Sequence, residues 1–328
     1  MLAKPTPERP QTPFRYIADF AAVIQASEFE AEVDSFIEQV LERLDSEEVA
    51  KTNLADIWKG VAEERRTPEL MRKRKLEALL GQDPDESNPA TLAQLIADAG
   101  QLGLAAVEEI AAAHSAGGEV RTAQELREIA TDSGFDASPK DAVRLTPGTV
   151  LPRVGDVAAW RLGTAAAREL REQQGLDGEV ISNHQLTELA GTQESALTNL
   201  NRKAEISFAL DGNQDSSRIV LRSKWESGRR FELARLLGDR IVEPKGGRLY
   251  PATRAYTYRQ KAQRAFAAEF LSPFEAVESL LGGDYSLENQ LEAAQHFGVS
   301  EFTIRTLLVN HGRIERDDLN AELEVAAA

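Results

Sequence analysis

The 328-residue chain contains no cysteine, which excludes disulfides, thiolate metal sites and thiol catalysis. Histidine is scarce as well. His114, His184, His296 and His311 have no second histidine four residues away, so each reads as a surface or capping residue rather than a metal ligand. No apolar run approaches the length of a membrane span. The opening MLAKPTPERPQTP lacks both an apolar core and a cleavage site, so a cytoplasmic protein is expected rather than an exported one. The glycine-rich patterns GxxxxGK[ST] and GxGxxG are missing too, leaving nucleotide binding by those routes without support. Asp211-x-Asn213-x-Asp215 begins like a calcium loop. It then places Ser216 where a glycine is needed and Arg222 where the closing glutamate should stand, so a solvated hairpin loop is expected.

What the chain does have is helix signal and acid. At about 150 residues per domain, this length suggests two domains. Against 54 Asp and Glu stand 38 Lys and Arg, a net charge of −16, which disfavours whole-surface binding to DNA phosphates or anionic membranes. Hydrophobic residues make up 42%, enough at this length for an ordinary buried core. The Pro-rich residues 1–12 read as a disordered tail. From 13 to 137 the pattern is helical throughout. Val33, Phe36, Ile37, Val40, Leu41 and Leu44 recur at helical spacing, and Leu54, Ile57, Trp58 and Val61 mark a second helix. Thr67-Pro68 and Asn88-Pro89 are helix starts, Gly81 closes the helix between them, and Thr122 with Glu125 is a capping box.

Residues 138–154, with three prolines and little periodicity, are expected to form a linker or docking arm. Beyond them, Val157, Trp160 and Leu170 mark a helix, and Ser182 with Gln185 caps a short one. EISFALDG and SSRIVLRS, around DGNQDSS, form a β-hairpin pattern. Helices are then expected near 228–241, 257–271, 274–281, 286–296 and 300–309. Charge differs between the halves: 16 − 28 = −12 over residues 1–145 and 22 − 26 = −4 over 146–328. Within the second half, residues 222–264 carry twelve Lys and Arg against four acids, 12 − 4 = +8.

The most informative stretches are RFELARLLGD at 230–239 and YRQKAQRAFAAEFLSP at 258–273. Together they resemble the ImmA/IrrE family of zinc metallopeptidases. In that family a metal helix reads RF-x-LA-HExxH, with glycine before the second histidine. A later helix ending in a FAAELL-x-P-like run supplies a glutamate as third ligand. The element order over about 155–312 is similar as well, and the N-terminal helices, including LEALLGQDPDE at 76–86, resemble the extension of long members. The departures fall on the chemistry. Where the resemblance implies His, Glu and His, this chain has Arg235, Leu236 and Asp239. Arginine is permanently cationic and cannot ligate zinc, leucine cannot act as a base, and one aspartate makes no site. No Asp or Glu occurs across 256–264. The packing positions are intact: Phe231, Ala234, Leu237, Gly238 and Ile241 on the first helix, Phe266 and Phe270 on the second, with Pro273 ending it. Arg235 and Asp239, four residues apart, are expected to pair.

The sequence therefore predicts a mainly α protein with a small antiparallel sheet (α+β). An all-helical N-terminal domain, 13–137, is joined by a linker, 138–154, to a zincin-like, ImmA/IrrE-like pseudo-peptidase domain, 155–312, with a tail at 313–328. That domain ends in a helix-turn-helix-like unit whose seam is Ala294, Gly298, Ile304 and Leu307. Arg305 stands nearly alone there against Asp284, Glu288, Glu292 and Glu301, so a structural role is favoured over DNA reading. No catalytic residue, cofactor or metal is expected, with zinc returning only if the motif phasing is wrong. Arg230, Arg235, Asp239, Arg240, Arg259 and Lys261 are expected to line a cleft that captures an anionic partner, with the hairpin edge at 218–223 adding strand pairing. A second possibility is that this basic face docks onto the acidic helices as an internal interface.

By resemblance, the function expected is that of a non-catalytic regulator in a bacterial or mobile-element regulatory, stress or defence circuit. It would bind a protein such as a helix-turn-helix regulator or a toxin/antitoxin-type protein, with no membrane role. Two alternatives stand beside it: an active zinc metallo-endopeptidase that cleaves a repressor or antitoxin, and a nucleic-acid-binding regulator acting through 222–264.

Overall fold

A computed structural model describes residues 2–3, 20–22, 24–49, 52–115, 117–199, 204–213, 215–243 and 247–315. The protein is mainly helical with a small antiparallel sheet. Among the described residues no helix is long and apolar enough to cross a membrane. The chain divides into two units, one comprising 1–75 with 152–158, the other 76–151 with 159–328.

In the first unit, β1 (Leu2–Ala3) pairs antiparallel with β2 (Phe20–Ala21). Part of the expected 1–12 tail is thus in a strand, and the rest of that tail lies outside the described residues. Two helices follow, α1 (Ala26–Ser46) and α2 (Leu54–Arg66), then the start of α3 (Pro68–Leu80), with Pro68 at its first position. Arg65 reaches Asp34 at 2.6 Å, and Gln25 Nε2 donates to Asp156 Oδ1 at 2.9 Å. Neither α1 nor α2 buries a side chain.

The second unit begins within α3 at Leu76. Next come α4 (Pro89–Leu102), α5 (Leu104–Ser115) and α6 (Ala123–Ser133). Asn88 caps α4 by accepting from the Ala90 amide, and Thr122 and Glu125 close the expected capping box of α6. The chain then runs through β3 (Phe135–Ala137), α7 (Ala159–Gln174), α8 (Asn183–Leu189), α9 (Ser195–Thr198), β4 (Ser207–Asp211) and β5 (Ser217–Val220). It ends with α10 (Glu226–Val242), β6 (Leu249–Ala252), α11 (Tyr258–Leu271), α12 (Phe274–Leu281), α13 (Leu287–Phe297) and α14 (Glu301–Asn310). The Ser182–Gln185 capping box forms at α8. On α7, Leu170 is buried but Trp160 is exposed, so the expected apolar stripe is only partly used.

The strand order is β3-β5-β4-β6, all antiparallel. Alternate residues of each strand enter opposite cores, as the pleat requires. Phe208, Val220 and Leu249 pack with Leu76, Leu95, Ile110 and Leu126 from α3–α6. Ala209, Ile219 and Tyr250 pack with α7, α10 and α11 through Leu170, Leu237 and Phe266. The sheet is the middle of three layers.

This arrangement corrects the expected domain plan. Residues 76–137 share the sheet and a core with the second half, because β3 pairs Phe135 with Ile219 and Ala137 with Ser217. The 13–137 stretch is also not all-helical. Residues 138–151 are docked rather than free: the Ser138 amide donates to Gly191 O and the Val143 amide to Leu189 O, both at 2.8 Å. The expected pairing edge is occupied at 217–219 by β3. Beyond it, the Arg222 and Ser223 amides both donate to Glu232 at 2.9 Å.

Candidate functional site

The segment that carries the motif is α10, crossed by α11. Gly238 is required at this crossing, since a Cβ there would come 2.5 Å from the Phe266 ring. On the other side of α11, Gly163 of α7 allows an equally close approach, because its Cβ would meet Ala262 O at 2.2 Å. Phe266 and Phe270 stack with centroids 5.3 Å apart. Of the expected apolar face, Ala234, Leu237 and Ile241 are buried along α10 and Phe231 is partly buried, while Leu233 and Leu236, outside that expected face, are buried as well.

Inside this packing lies a closed polar centre. Arg235, 7% exposed, donates through Nη2 to Thr253 O at 2.8 Å and to Gln260 Oε1 at 2.5 Å. Gln260 Oε1 also accepts the Thr253 amide, and the amide nitrogens of Gln260 and Gln263 both donate to Pro251 O. The guanidinium is thus tied to the end of β6 and the first turn of α11. Desolvation, and after it the charge of Arg264, lowers Arg235 to about 9, so it stays cationic at neutral pH. Its Nε has no protein partner.

Asp239 does not pair with Arg235 as expected. Its two oxygens accept Nε and Nη2 of Arg259 at 2.7 Å each, a bidentate pair between α10 and α11. Burial works against the Arg259 charge, but the hydrogen bond and the charge of Asp239 outweigh it and raise the guanidinium. Glu109, from α5, accepts the Thr257 hydroxyl at 2.7 Å beside this pair. Desolvation raises its carboxyl above the ordinary value of 4.5, against hydrogen bonds from Thr257 and Gln260.

The other cleft candidates are dispersed. Arg230 is buried, donating to Gly298 O, Asn183 Oδ1 and Ile181 O, and so pins α10 to the αL turn between α13 and α14. Arg240 makes a bidentate pair with Asp211 and lies 4.4 Å over Tyr250. Asp211 is thereby occupied in the loop that began like a calcium site. Lys261 is exposed. The expected anion-capturing cleft is corrected accordingly: the guanidinium groups of Arg230, Arg235, Arg240 and Arg259 are committed to internal oxygen acceptors. The internal-interface alternative is not met as expected either, since these guanidinium groups bond Ile181, Asn183, Asp211, Asp239, Thr253, Gln260 and Gly298 rather than acids of the N-terminal helices, and Glu109 bonds Thr257.

The residues do not fit a zinc ion. Leu236 is in the core, Arg235 and Asp239 are held by other partners, and Glu269 of the FAAE run is bonded by Arg168 at 2.7 Å. Among the described residues no group of three His, Cys, Asp or Glu side chains could hold a metal. His311 is stacked on Phe274, and His114 contacts Gly118 O. The sequence reading missed Gln260, Gln263 and Glu109. Their amide and carboxyl groups have no motif of their own and gain meaning only where α5, β6 and α11 meet. Compared with family models, with curated proteins and with solved structures, the chain matches none.

Proposed function

We propose that this chain is a catalytically degenerate relative of the ImmA/IrrE peptidases, a non-catalytic regulator that works by binding a protein. The observation that carries this reading is Arg235. At the position where the resemblance implies a metal ligand, this chain has a fixed cation tied to Thr253 O and Gln260, and the close approaches at Gly238 and Gly163 support the reading. Water activation needs a metal or a poised base, and among the described residues no set of three ligating side chains is assembled around Arg235. The partner class, a helix-turn-helix regulator or a toxin/antitoxin-type protein, rests on the resemblance alone.

Among the described residues, the exposed side chains of the basic segment are Lys224, Trp225, Arg248, Arg254, Tyr256 and Lys261, together with the acid Glu226. Trp, Tyr and Arg are the residue types that dominate binding hot spots, which supports a protein interface there. Elemental mass spectrometry of the untagged protein tests the first half of the reading. Less than about a tenth of an equivalent of zinc is expected, and stoichiometric, chelator-resistant zinc would return the peptidase to first place. For the second half, a cross-linked partner should be recovered intact and lost with Trp225→Ala/Tyr256→Ala. A salt-sensitive gel shift that the same variant abolishes would instead support the nucleic-acid alternative.

A further inference from the structure

Among the described residues, the first unit packs its apolar stripe only partly, with Val33, Ile37, Val40, Leu41 and Leu44 of α1 half-buried. Among the described residues its helices α1 and α2 bury no side chain, and the first buried side chain of α3 is Leu76, in the second unit. Phe29 is 52% and Phe36 63% exposed on α1, while Leu70 is 41% and Met71 52% exposed at the start of α3. Helices of this kind draw most of their stability from packing an apolar face, and adjoining exposed apolar surface marks an association site.

Charge says what would cover it. The α1 segment 26–46 carries Arg43 against seven acids, 1 − 7 = −6. Glu32 lies between Phe29 and Phe36 on the helix surface, at i+3 from one and i−4 from the other. Leu70 and Met71 lie between the exposed bases Arg66 and Arg72, while Arg65 and Arg74 in the same stretch are paired with Asp34 and Glu64. One chain therefore presents an acid-flanked apolar patch and a base-flanked one. A foreign partner would have to supply both signs, whereas a second copy already does. In a two-fold pairing the α1 patch of each copy meets the α3 patch of the other, so both contacts form at once.

We infer that the first unit is a homodimerisation module in which Phe29 and Phe36 of one copy pack against Leu70 and Met71 of the other. This goes beyond the proposed regulatory role and does not depend on it, and zinc content tests that role separately. The experiment is sedimentation of the full chain across the micromolar range, for the wild type, Phe36→Asp, Met71→Asp and an equal mixture of the two variants. The wild type should be a dimer, and each variant alone should dissociate at least about tenfold more readily. The mixture should regain dimers, because one of its two contacts is wild type on both sides. Helicity by circular dichroism should be unchanged, since both side chains are exposed. A wild type that stays monomeric, a dimer indifferent to both substitutions, or a mixture no better than its components overturns the proposal.

Discussion

Helices α1 and α10 differ in what becomes of their side chains. Across 21 residues α1 buries nothing. Across 17, α10 buries Leu233, Ala234, Leu236, Leu237 and Ile241, and with them Arg229, Arg230, Glu232, Arg235 and Asp239. Both are charged helices with an apolar stripe, so the contrast does not come from amphipathicity. It comes from whether a neighbour can accept the polar groups. Every arginine on the inward side of α10 meets a carbonyl, an amide oxygen or a carboxylate, whereas the acids of α1, Asp34 in its pair with Arg65 aside, are exposed. A +8 segment read along the chain as a basic surface is, in three dimensions, largely a set of internal ties.

The largest test of that contrast removes the anion from the buried pair. Asp239→Ala leaves the largely buried Arg259, its side chain 13% exposed, without its bidentate carboxylate, which should cost about 3 kcal/mol in urea unfolding. A loss under about 1 kcal/mol would mean that the pair is solvated and that α10 is no more committed than α1.

Glycine sharpens the same comparison with opposite signs. Gly238→Ala drives a methyl into the Phe266 ring and should destabilise by about 1–3 kcal/mol. Gly60 lies inside α2 with nothing within 4 Å of a built Cβ, so Gly60→Ala should stabilise its helix by about 0.5–1 kcal/mol. Thermal melts of the two variants give the signs, and equal signs would break the distinction between the regions.

Local signals were legible in the sequence and long-range ones were not. The caps at Asn88, Thr122 and Ser182 and the αL turn at Gly298 need only neighbours within a few residues, and each forms where its pattern lies. The hairpin of β4 and β5 was readable for the same reason. Strand β3 has three residues, too few for a period, and its partner lies 82 residues away in the Asp136–Arg218 pair, so 135–137 reads along the chain as part of a helical stretch. That one pairing moved residues 76–137 into the second unit. At the site, helical spacing suggested Arg235 with Asp239, but side-chain reach across α10 and α11 delivered Arg259 to Asp239 instead.

Acidity probes the polar centre more gently. Glu109 is raised by desolvation, so between its unfolded value and its higher folded value the native state holds the extra proton. Stability should therefore fall as pH rises from about 4.5 through that window. Glu109→Gln cannot titrate and should flatten the decline relative to the wild type in urea titrations at stepped pH. An unchanged slope would place the wild-type carboxyl in water and open the centre to solvent.

The smallest effect is expected in the first unit. Arg65 and Asp34 pair at 2.6 Å, but their side chains are 38% and 41% exposed. Two long side chains held in water lose rotamer entropy and gain little Coulomb energy, so Asp34→Ala should cost about 0.2–1 kcal/mol, and less in high salt. The comparison with Asp239→Ala is direct, since both variants delete one carboxylate from an arginine pair of similar length. If the two losses were equal, contact distance would govern these pairs. A several-fold difference that persists in high salt makes desolvation the governing factor, and with it the reason that α10 and not α1 holds its charges fixed.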